Sequence, residues 1–510
     1  MSIALVYHND PNSNSYLDMR FSVFSMAHAG QGSHCFAISD GRNLHLRRGK
    51  GIVDITDPPE KIPGPISIGR NSSKSGVKQA TGFCDNYGEF GIAFDGYFLN
   101  GDDLREKRGG RTDADLVARY IAVAKDFEKG LENLENDIKG HFCVTMVTER
   151  GEAFAARSRL GVRSMIYGKG DNGQAIVSES RALENIDMDI IRDIRAGEKV
   201  SIDGSGIHTL NPSYEFGEDM RVCSFIFPYY NAIDGKTEGI PVARVKRRIG
   251  EHMAKNDKRD GIKVNVAAPV PDSGKGYPEG YAGEYGCPYS EILIKDPYAG
   301  RSYDQPEQTL RDTIAGIKLS AIPDRARVRT RIDWSQPQYV NILLEGLHKY
   351  ISGVDGGITP ENIEGHKQYL MKALSDAMGS QQADFFEDAI AALLEDSIRR
   401  GTQLIRPKGP IDKMKKAGVK EIHVRVCSPR NIMYCRCSPP DEDGYKDEKL
   451  AANRFPDDEE MANYLDSEGA VKTVRFIELD PFVDCVIEGS ELTRDKLCLG
   501  CYTGDFGFLE

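Results

Sequence analysis

The 510-residue sequence has no apolar run of the roughly 18 residues that a membrane-spanning helix requires, so no membrane span is expected. Its first residues have neither the basic segment nor the cleavage pattern of a secretory signal, which predicts a cytoplasmic protein. No block of basic residues occurs and the formal net charge is −12, which argues against a nucleic-acid-binding surface. The eleven cysteines are odd in number and irregularly spaced, so free thiols or metal ligands in a reducing compartment are expected rather than a disulfide framework.

The spacing of apolar residues changes along the chain and divides it into two parts. Up to about residue 222, short apolar stretches alternate with turns and predict a β-rich unit. The predicted strands there are Ile3–Tyr7, His141–Thr148 and Glu152–Ala156, and the predicted turns are Asp40-Gly41, Asp95-Gly96 and Asp203-Gly204. Further on, a helix over Val242–Met253 and strands over Val264–Pro269 and Ile422–Val426 alternate in the manner of a parallel sheet.

A segment between about residues 323 and 388 has helical signals of its own. Thr359 can cap a helix that begins at Pro360, and Gly379 can end it. We interpret this segment as a packed helical insertion.

The segment from Ala392 to Thr402 is the most informative in the chain. It predicts an apolar strand that ends in Glu395 and Asp396 and continues into a turn of small residues. Carboxylates can hold two ribose hydroxyls, and backbone N–H groups of a tight turn can hold a phosphate. The carboxyl end of a strand in an open α/β sheet is where such a ligand usually binds.

This segment resembles the phosphoribosyl pyrophosphate (PRPP) loop of type I phosphoribosyltransferases, and most closely the form hhhxDDSIxRGTT of the amidophosphoribosyltransferase family. The resemblance implies that Glu395 and Asp396 bind the ribose hydroxyls and Mg²⁺. It also implies that the 5′-phosphate is cradled by Ser397, Gly401 and Thr402, with Arg400 as a further substrate-binding residue. One departure is Glu395, which stands where the family has aspartate.

Three more segments resemble the same family. Ala268–Gly274 is similar to its VPDSG turn beside the pyrophosphate, with Asp272 and Ser273 as substrate-binding residues. Leu293–Pro306 is similar to its LIKNRYxGRTFIxP lid, in which Lys295 and Arg301 are suited to pyrophosphate. Glu421–Pro429 is similar to its EVHVRIxSPP strand.

The N-terminal half resembles the family's glutaminase domain, which has an N-terminal nucleophile. The similar segments are Phe24–Ser33 (LxxLQHRGQxS), Phe94–Asn100 (xNGNLxN), Thr112–Asp115 (SDTE), Ala155–Ser164 (AARDPLGIRP) and Ile176–Ser180 (VVASE). The resemblance implies an α/β and α+β protein of two domains. An αββα sandwich of the class II glutamine amidotransferase type would occupy residues 1–222, and a parallel-sheet phosphoribosyltransferase domain would occupy residues 223–510, with the insertion and a cysteine-bearing C-terminal segment.

The glutaminase features are eroded. Ser2 stands at the position of the family's catalytic cysteine, and Ala29 replaces the arginine of HRGQ. Asp95, before Gly96, replaces the asparagine of the oxyanion hole, and a carboxylate repels an oxyanion that an amide would stabilise. No arginine stands in the expected register before Ser72–Gly76, whereas Asp113, which would meet the amino group of glutamine, is present. We expect a degenerate glutaminase, with Ser2 as a possible nucleophile left open.

Cys498 and Cys501 form a C-x-x-C motif, which alone fits zinc, an iron–sulfur cluster or a redox pair. The family resemblance adds Cys223 and Cys435 and implies a [4Fe–4S] cluster held by these four thiolates. Cys437 is close enough in sequence to compete as a ligand. The other cysteines are interpreted as small core residues: Cys35, Cys84, Cys143, Cys287, Cys427 and Cys485.

Three functions stay open from the sequence. The first is a Mg²⁺-dependent enzyme that displaces pyrophosphate from PRPP with ammonia or another small amine; the resemblance implies a homodimer or homotetramer. The second is a non-catalytic paralogue that binds PRPP or nucleotides and regulates a partner. The third is a glutamine-dependent synthase that uses Ser2.

Overall fold

The structure, a computed structural model, describes residues 2–56, 62, 64–74, 79–295, 319–331, 384–401, 404, 409–440 and 444–509. Within these ranges no helix is both long and apolar enough to cross a membrane.

Two antiparallel sheets form the first 209 residues. Their strands are β1 (Ser2–His8), β2 (Ser33–Ser39), β3 (Leu44–Lys50), β4 (Ile66–Ser72), β5 (Ala80–Cys84), β6 (Gly88–Phe98), β7 (Gly140–Thr148), β8 (Ala153–Arg157), β9 (Ile166–Gly170), β10 (Gly173–Val177), β11 (Asp189–Asp193), β12 (Lys199–Asp203) and β13 (Gly206–Thr209). The first sheet has the order β11-β9-β10-β1-β4-β2-β3, and the second has the order β13-β12-β8-β7-β6-β5.

Helices cover the outer face of each sheet. They are α1 (Ser15–Ser25), α2 (Gly101–Arg108), α3 (Asp113–Ala124), α4 (Phe127–Asp137) and α5 (Arg181–Glu184). Ile3 and Leu5 of β1 pack against Ala93 of β6 between the sheets, whereas Ala4 and Val6 face α1. Because successive side chains of a strand point to opposite faces, this alternation builds the helix–sheet–sheet–helix sandwich.

Among the described residues of the second half, four parallel strands form the central sheet. The strands of this half are β14 (Val222–Cys223), β15 (Lys236–Thr237), β16 (Ile240–Pro241), β17 (Val266–Pro269), β18 (Leu293–Lys295), β19 (Leu319–Ala321), β20 (Arg327–Arg331), β21 (Asp384–Asp388), β22 (Ile390–Glu395), β23 (Glu421–Val426), β24 (Val471–Phe476) and β25 (Leu497–Cys498). The parallel sheet has the order β17-β22-β23-β24.

Helices also cover both faces of this sheet. They are α6 (Val242–Arg259), α7 (Tyr277–Tyr285), α8 (Pro410–Lys416), α9 (Ala451–Arg454), α10 (Asp458–Leu465), α11 (Leu479–Ile487) and α12 (Gly500–Thr503). Ala267 faces the cluster formed with α6 and α7, and Val266 and Ala268 face the cluster that includes α8 and α10. Both faces of the strands are therefore buried, as is usual for parallel sheets.

The predicted two-layer and parallel-sheet architecture is confirmed, as are the predicted strands and the helix that begins at Val242. The predicted turn at Asp95-Gly96 is wrong, because both residues lie inside β6. A Cβ atom on Gly96 would lie 2.4 Å from the carbonyl oxygen of His141, so glycine is needed for close strand packing and not for a turn. The boundary near residue 222 stays a prediction.

The predicted helices of the insertion lie outside the described residues. The two ends of the insertion are described, and there β20 and β21 pair as an antiparallel ladder.

Acid is expected to destabilise this fold through His423 on β23. Burial, followed by the nearby charge of Arg425, lowers the pKa of His423 to about 4, compared with about 6.5 in an unfolded chain. The unfolded state therefore binds more protons between these values, and stability falls as the pH drops from 6.5 towards 4, by at most about 3 kcal/mol. Urea unfolding of His423→Asn should show a weaker loss over this window. His208→Asn, at an exposed site, should retain the full pH dependence, and equal pH dependence in both variants would contradict the assignment.

Candidate active site and cysteine centre

The two predicted substrate segments meet at one edge of the parallel sheet. β17 and β22 are adjacent, with Pro269 opposite Leu394, and the N–H of Val270 donates to the carbonyl oxygen of Leu394 at 2.9 Å. The turn that contains Asp272 and Ser273 therefore lies beside Glu395, the last residue of β22, and Asp396, which follows it. This is the edge where the carboxyl ends of parallel strands converge.

Asp396 is buried at this edge among hydroxyl groups. The Ser397 hydroxyl donates to its Oδ1 at 2.7 Å, and Ser273 also hydrogen-bonds to the carboxyl group. Burial raises the pKa of Asp396, and the two serines oppose the shift without cancelling it. Glu395 is buried directly beside it, so two carboxyl groups occupy the end of one strand.

Lys246 is a site residue that the sequence reasoning missed. Its ammonium group, which lies 5.0 Å from the centroid of the Tyr277 ring, donates to the carbonyl oxygen of Ser273 at 2.7 Å. Burial lowers its pKa to about 8, and the charge of Asp396 opposes this shift. Lys246 lies on the same stripe of α6 as Val242 and Ile249, and a lysine within an apolar stripe was the available signal.

The predicted pyrophosphate residues are only partly described. Lys295 pairs with Asp272 at 2.7 Å, and Lys275 lies 3.5 Å from the same carboxylate. Burial raises the pKa of Asp272, but these two lysines outweigh burial and lower it overall. Arg301 lies outside the described residues.

The phosphate loop is described up to Gly401, so Thr402 also lies outside. Gly401 has a φ angle of 76°, a conformation that glycine adopts without strain. The Arg400 Nε–H donates to the hydroxyl of Tyr434 at 2.7 Å.

Ser2 lies at the start of β1, buried against β4. Its backbone N–H donates to Oδ1 of Asn71 at 2.9 Å. Arg70, the preceding residue of β4, lies opposite Ile3 and is buried.

Of the other two predicted glutaminase residues, Asp113 forms an ion pair with an arginine, and Asp95 is buried in β6. Asp113 accepts a hydrogen bond from the N–H of Phe98 at 3.1 Å and forms an ion pair with Arg105 of α2. Burial raises the pKa of Asp113, opposed by these contacts. Asp95 is buried, and its charge acts on the guanidinium of Arg163. The sequence reasoning foresaw neither arginine.

The structure brings five cysteines together from three segments. Cys223 of β14 lies directly opposite Cys498 of β25, in parallel pairing. Cys501 follows on α12, where its carbonyl oxygen accepts the N–H of Met433 at 3.2 Å. The thiol of Cys437 hydrogen-bonds to those of Cys435 and Cys498. We call Cys223, Cys435, Cys437, Cys498 and Cys501 the cysteine centre.

The thiols of the cysteine centre differ in character. The hydrogen bond from Cys437 lowers the pKa of Cys435 to about 6, although burial opposes this, and burial raises the pKa of Cys223 to about 12. All eleven cysteines of the chain are free thiols. Among the residues that the structure describes, no group of three or more His, Cys, Asp or Glu side chains is arranged to hold a metal ion.

The known proteins to which this chain is similar agree with one another in kind. The sequence profile of a glutamine amidotransferase domain matches residues 74–185. The amidophosphoribosyltransferase of Methanocaldococcus jannaschii is 26% identical over 95% of this chain and 93% of its own length. That of Rhizobium etli is 27% identical over 95% of this chain and 87% of its own length.

The fold also has a close structural counterpart. The glutamine PRPP amidotransferase of B. subtilis, solved with ADP and GMP, superposes with a TM-score of 0.73 at 21% identity, over 99% of this chain and 96% of that chain. This likeness establishes the shared fold, and the sequence matches extend over nearly the whole length. The chain is therefore similar over nearly its whole length to amidophosphoribosyltransferases, with the fold of a glutamine PRPP amidotransferase.

Proposed function

We propose that this protein is a Mg²⁺-dependent phosphoribosyltransferase that displaces pyrophosphate from PRPP with ammonia or another small nucleophile. With ammonia the product is phosphoribosylamine, a step of purine-type biosynthesis. The observation that carries the proposal is the meeting of Glu395 and Asp396 with the Ser273 turn at the carboxyl edge of the parallel sheet. The relatives named above carry the same activity in their names.

The side chains at this edge suit the parts of PRPP. Glu395 and Asp396 accept hydrogen bonds from the ribose hydroxyls, and the turn from Ser397 to Gly401 offers N–H groups to the 5′-phosphate. Lys295 is positioned to exchange its contact with Asp272 for the pyrophosphate. Mg²⁺ held by the two acids would neutralise charge on the leaving pyrophosphate.

The glutaminase half is proposed to be inactive. Asp113 is already neutralised by Arg105, so the amino group of glutamine would meet a carboxylate that has a partner. Asp95 brings a negative charge where the oxyanion of an acyl intermediate needs hydrogen-bond donors. Ammonia from solution is therefore the proposed nitrogen source.

The test is release of pyrophosphate from PRPP and Mg²⁺ by anaerobically purified protein, with ammonia and with glutamine in parallel. Release with ammonia alone, unchanged in Ser2→Ala, is the expected result. Release with glutamine that disappears in Ser2→Ala would overturn the inactive glutaminase. PRPP binding without any release would identify a regulatory paralogue instead.

We also propose that the cysteine centre holds a [4Fe–4S] cluster through Cys223, Cys435, Cys498 and Cys501. The donor set fits in its chemistry, because cysteine thiolates are the usual ligands of such clusters and these four lie in or against one apolar core, Cys223 and Cys498 buried and Cys435 and Cys501 partly buried. The cluster would supply a covalent connection between β14, the segment of Cys435 and the end of the chain.

Replacement of Cys498 with serine is expected to abolish iron binding. A hydroxyl group is a poorer ligand for iron than a thiolate, and Cys498 is paired with Cys223 at the centre of the site. The measurement is iron and sulfide content, with the visible absorbance, of anaerobically purified protein. Cys287→Ser, at a partly exposed thiol outside the cysteine centre, should retain the wild-type iron content. Full iron in Cys498→Ser would contradict the ligand assignment.

A further inference from the structure

Lys246 is a buried cation beside the proposed PRPP site, and packing alone does not explain it. Its side chain lies on α6 and the residue is only 3% exposed, although its neighbours along the same stripe of the helix are apolar. Transfer of an ammonium group out of water is costly unless polar contacts compensate. A methionine of similar length would fill the same space without that cost, so the contacts of the ammonium group indicate what the lysine does.

The side chain of Lys246 contacts the turn formed by residues 270–276, which we call the Ser273 turn. Its ammonium group donates to the carbonyl oxygen of Ser273 at 2.7 Å. Its stem packs on the end of the turn, where a Cβ atom added to Gly276 would lie 3.2 Å from the Cβ of Lys246. The ring of Tyr277, the first residue of α7, has its centroid 5.0 Å from the ammonium nitrogen. Lys246 therefore holds the turn through both its charged end and its stem.

The hydrogen bond from Lys246 reaches the middle of the Ser273 turn. The N–H of Gly274 donates to the carbonyl oxygen of Val270 at 2.9 Å, which closes the backbone around Asp272 and Ser273. The carbonyl oxygen of Ser273 lies within this closed segment and is bound from outside by the lysine. The bond therefore ties the turn to α6, whereas the backbone bond ties the turn only to itself.

Close packing of α6 on α7 fixes the distance between Lys246 and the turn. A Cβ atom on Gly250 would lie 2.0 Å from the carbonyl oxygen of Tyr277, and one on Gly280 would lie 1.9 Å from that of Arg247. The two helices therefore touch through their backbones on both sides of this crossing. Because α7 begins directly after the Ser273 turn, the helix that carries Lys246 cannot shift without moving the turn.

The Ser273 turn is connected in its own right to both parts of the proposed site. Ser273 hydrogen-bonds to the carboxyl group of Asp396, one of the two acids proposed to hold the ribose. Asp272 contacts Lys295, which is proposed to meet the pyrophosphate, at 2.7 Å. A displacement of the turn would therefore move a partner of each group, and Lys246 is the anchor that opposes this displacement from α6.

We propose that Lys246 is a positioning residue for the Ser273 turn. From α6 it holds the carbonyl oxygen of Ser273, so that Asp272 and Ser273 are presented to the pyrophosphate end of PRPP. Lys246 acts through the turn and touches no substrate. The ligand assigned to the turn rests on the proposed function, whereas the attachment of the turn to α6 does not.

The first test measures the attachment of the turn by hydrogen–deuterium exchange of the full-length protein without substrate. In Lys246→Met, the amide of Gly274 and its neighbours in the Ser273 turn should exchange about tenfold faster than in wild type, because a hydrogen bond from a charged donor is lost. Urea unfolding verifies that the variant is folded. Exchange at the wild-type rate in a folded variant would overturn the proposal.

A second variant and a matched control accompany this test. Lys246→Gln has a side chain one bond shorter that cannot reach Ser273, so it should exchange equally fast and decides the test if Lys246→Met does not fold. Lys258→Met is the control, because Lys258 also lies on α6 and donates to a backbone carbonyl oxygen, that of Glu284, but is half exposed and about three turns further along the helix. It should leave exchange in the Ser273 turn unchanged, and an equal rise in this control would reduce the effect to general destabilisation.

The second test measures steady-state release of pyrophosphate from PRPP. A turn that binds pyrophosphate does so in the ground state and in the transition state alike, so Lys246→Met should raise the KM for PRPP about tenfold and keep kcat within about twofold of wild type. A merely structural role would lower the fraction of active enzyme, which reduces kcat and leaves KM unchanged. An unchanged KM would therefore overturn the positioning role.

The two readouts separate this inference from the proposed function. Wild-type release of pyrophosphate together with unchanged exchange in Lys246→Met would refute the inference alone. Absence of release by the wild-type protein would refute phosphoribosyl transfer, and exchange in the Ser273 turn would still decide whether Lys246 holds it. Faster exchange with an unchanged KM would show that the held turn receives no pyrophosphate, and this result too would overturn the inference.

Discussion

Replacement of Asp396 with asparagine is expected to lower the rate of pyrophosphate release from PRPP by about 100-fold or more, the loss usual when a buried charged group of an active site is removed. The carboxylate is buried among the hydroxyls of Ser397 and Ser273 and lies near the ammonium of Lys246. An amide has the same shape but cannot hold Mg²⁺ or accept two hydroxyl protons equally well.

The Asp396 measurement pairs steady-state release with PRPP binding measured separately. A large loss of release with intact folding is the expected pattern. Glu468→Gln provides the matched control, since Glu468 is an exposed acid that pairs with Lys415 on the surface. It should leave the rate unchanged. Release at the wild-type rate in Asp396→Asn would remove the acid from the proposed site.

Replacement of Arg425 with methionine should destabilise the protein by about 3–5 kcal/mol, the cost of leaving one partner of a buried ion pair alone. Arg425 on β23 and Asp257 on α6 are both fully buried and lie 2.7 Å apart. Asp257 also accepts the hydroxyl of Tyr281 at 2.6 Å and an N–H of Arg475 at 2.9 Å. This network ties the helix to the sheet.

Urea unfolding measures this change. Arg475→Met serves as the control because the Arg475 side chain is 26% exposed, so water can take its place beside Asp257. Its loss should be about 1 kcal/mol. A smaller effect for Arg425 than for Arg475 would contradict the importance of the buried pair.

The strands of both halves could be predicted because each follows a simple rule of burial. Alternating residues in β1 face two different cores, and continuous apolar residues in β22 are buried on both faces. Asp95-Gly96 was misread because an Asp-Gly pair is a strong turn signal in sequence. The glycine is needed because the backbone of the adjacent strand lies too close for a Cβ atom. Which strand is adjacent is known only once the strands have paired in the folded protein.

Residues of the site could be predicted from the sequence only where they belong to a local motif. The acids after β22 and the turn after β17 each have a recognisable local sequence. Lys246 has none, since it acquires its role from the carbonyl oxygen of Ser273, 27 positions away in sequence. Charged residues with tertiary partners of this kind are visible only once the fold brings the partners together.

The pairing of β14 with β25 has a consequence for the order of assembly. The Ser224 hydroxyl donates to the carbonyl oxygen of Cys498, across 274 positions of sequence. Contacts of this sequence separation form late, because closing a long loop costs more entropy than closing a short one. During synthesis Cys223 therefore emerges well before Cys498 is made. The Cys223 thiol is therefore without its neighbour until the intervening residues have been translated, so the cysteine centre can form only after Cys498 and Cys501 have been synthesised.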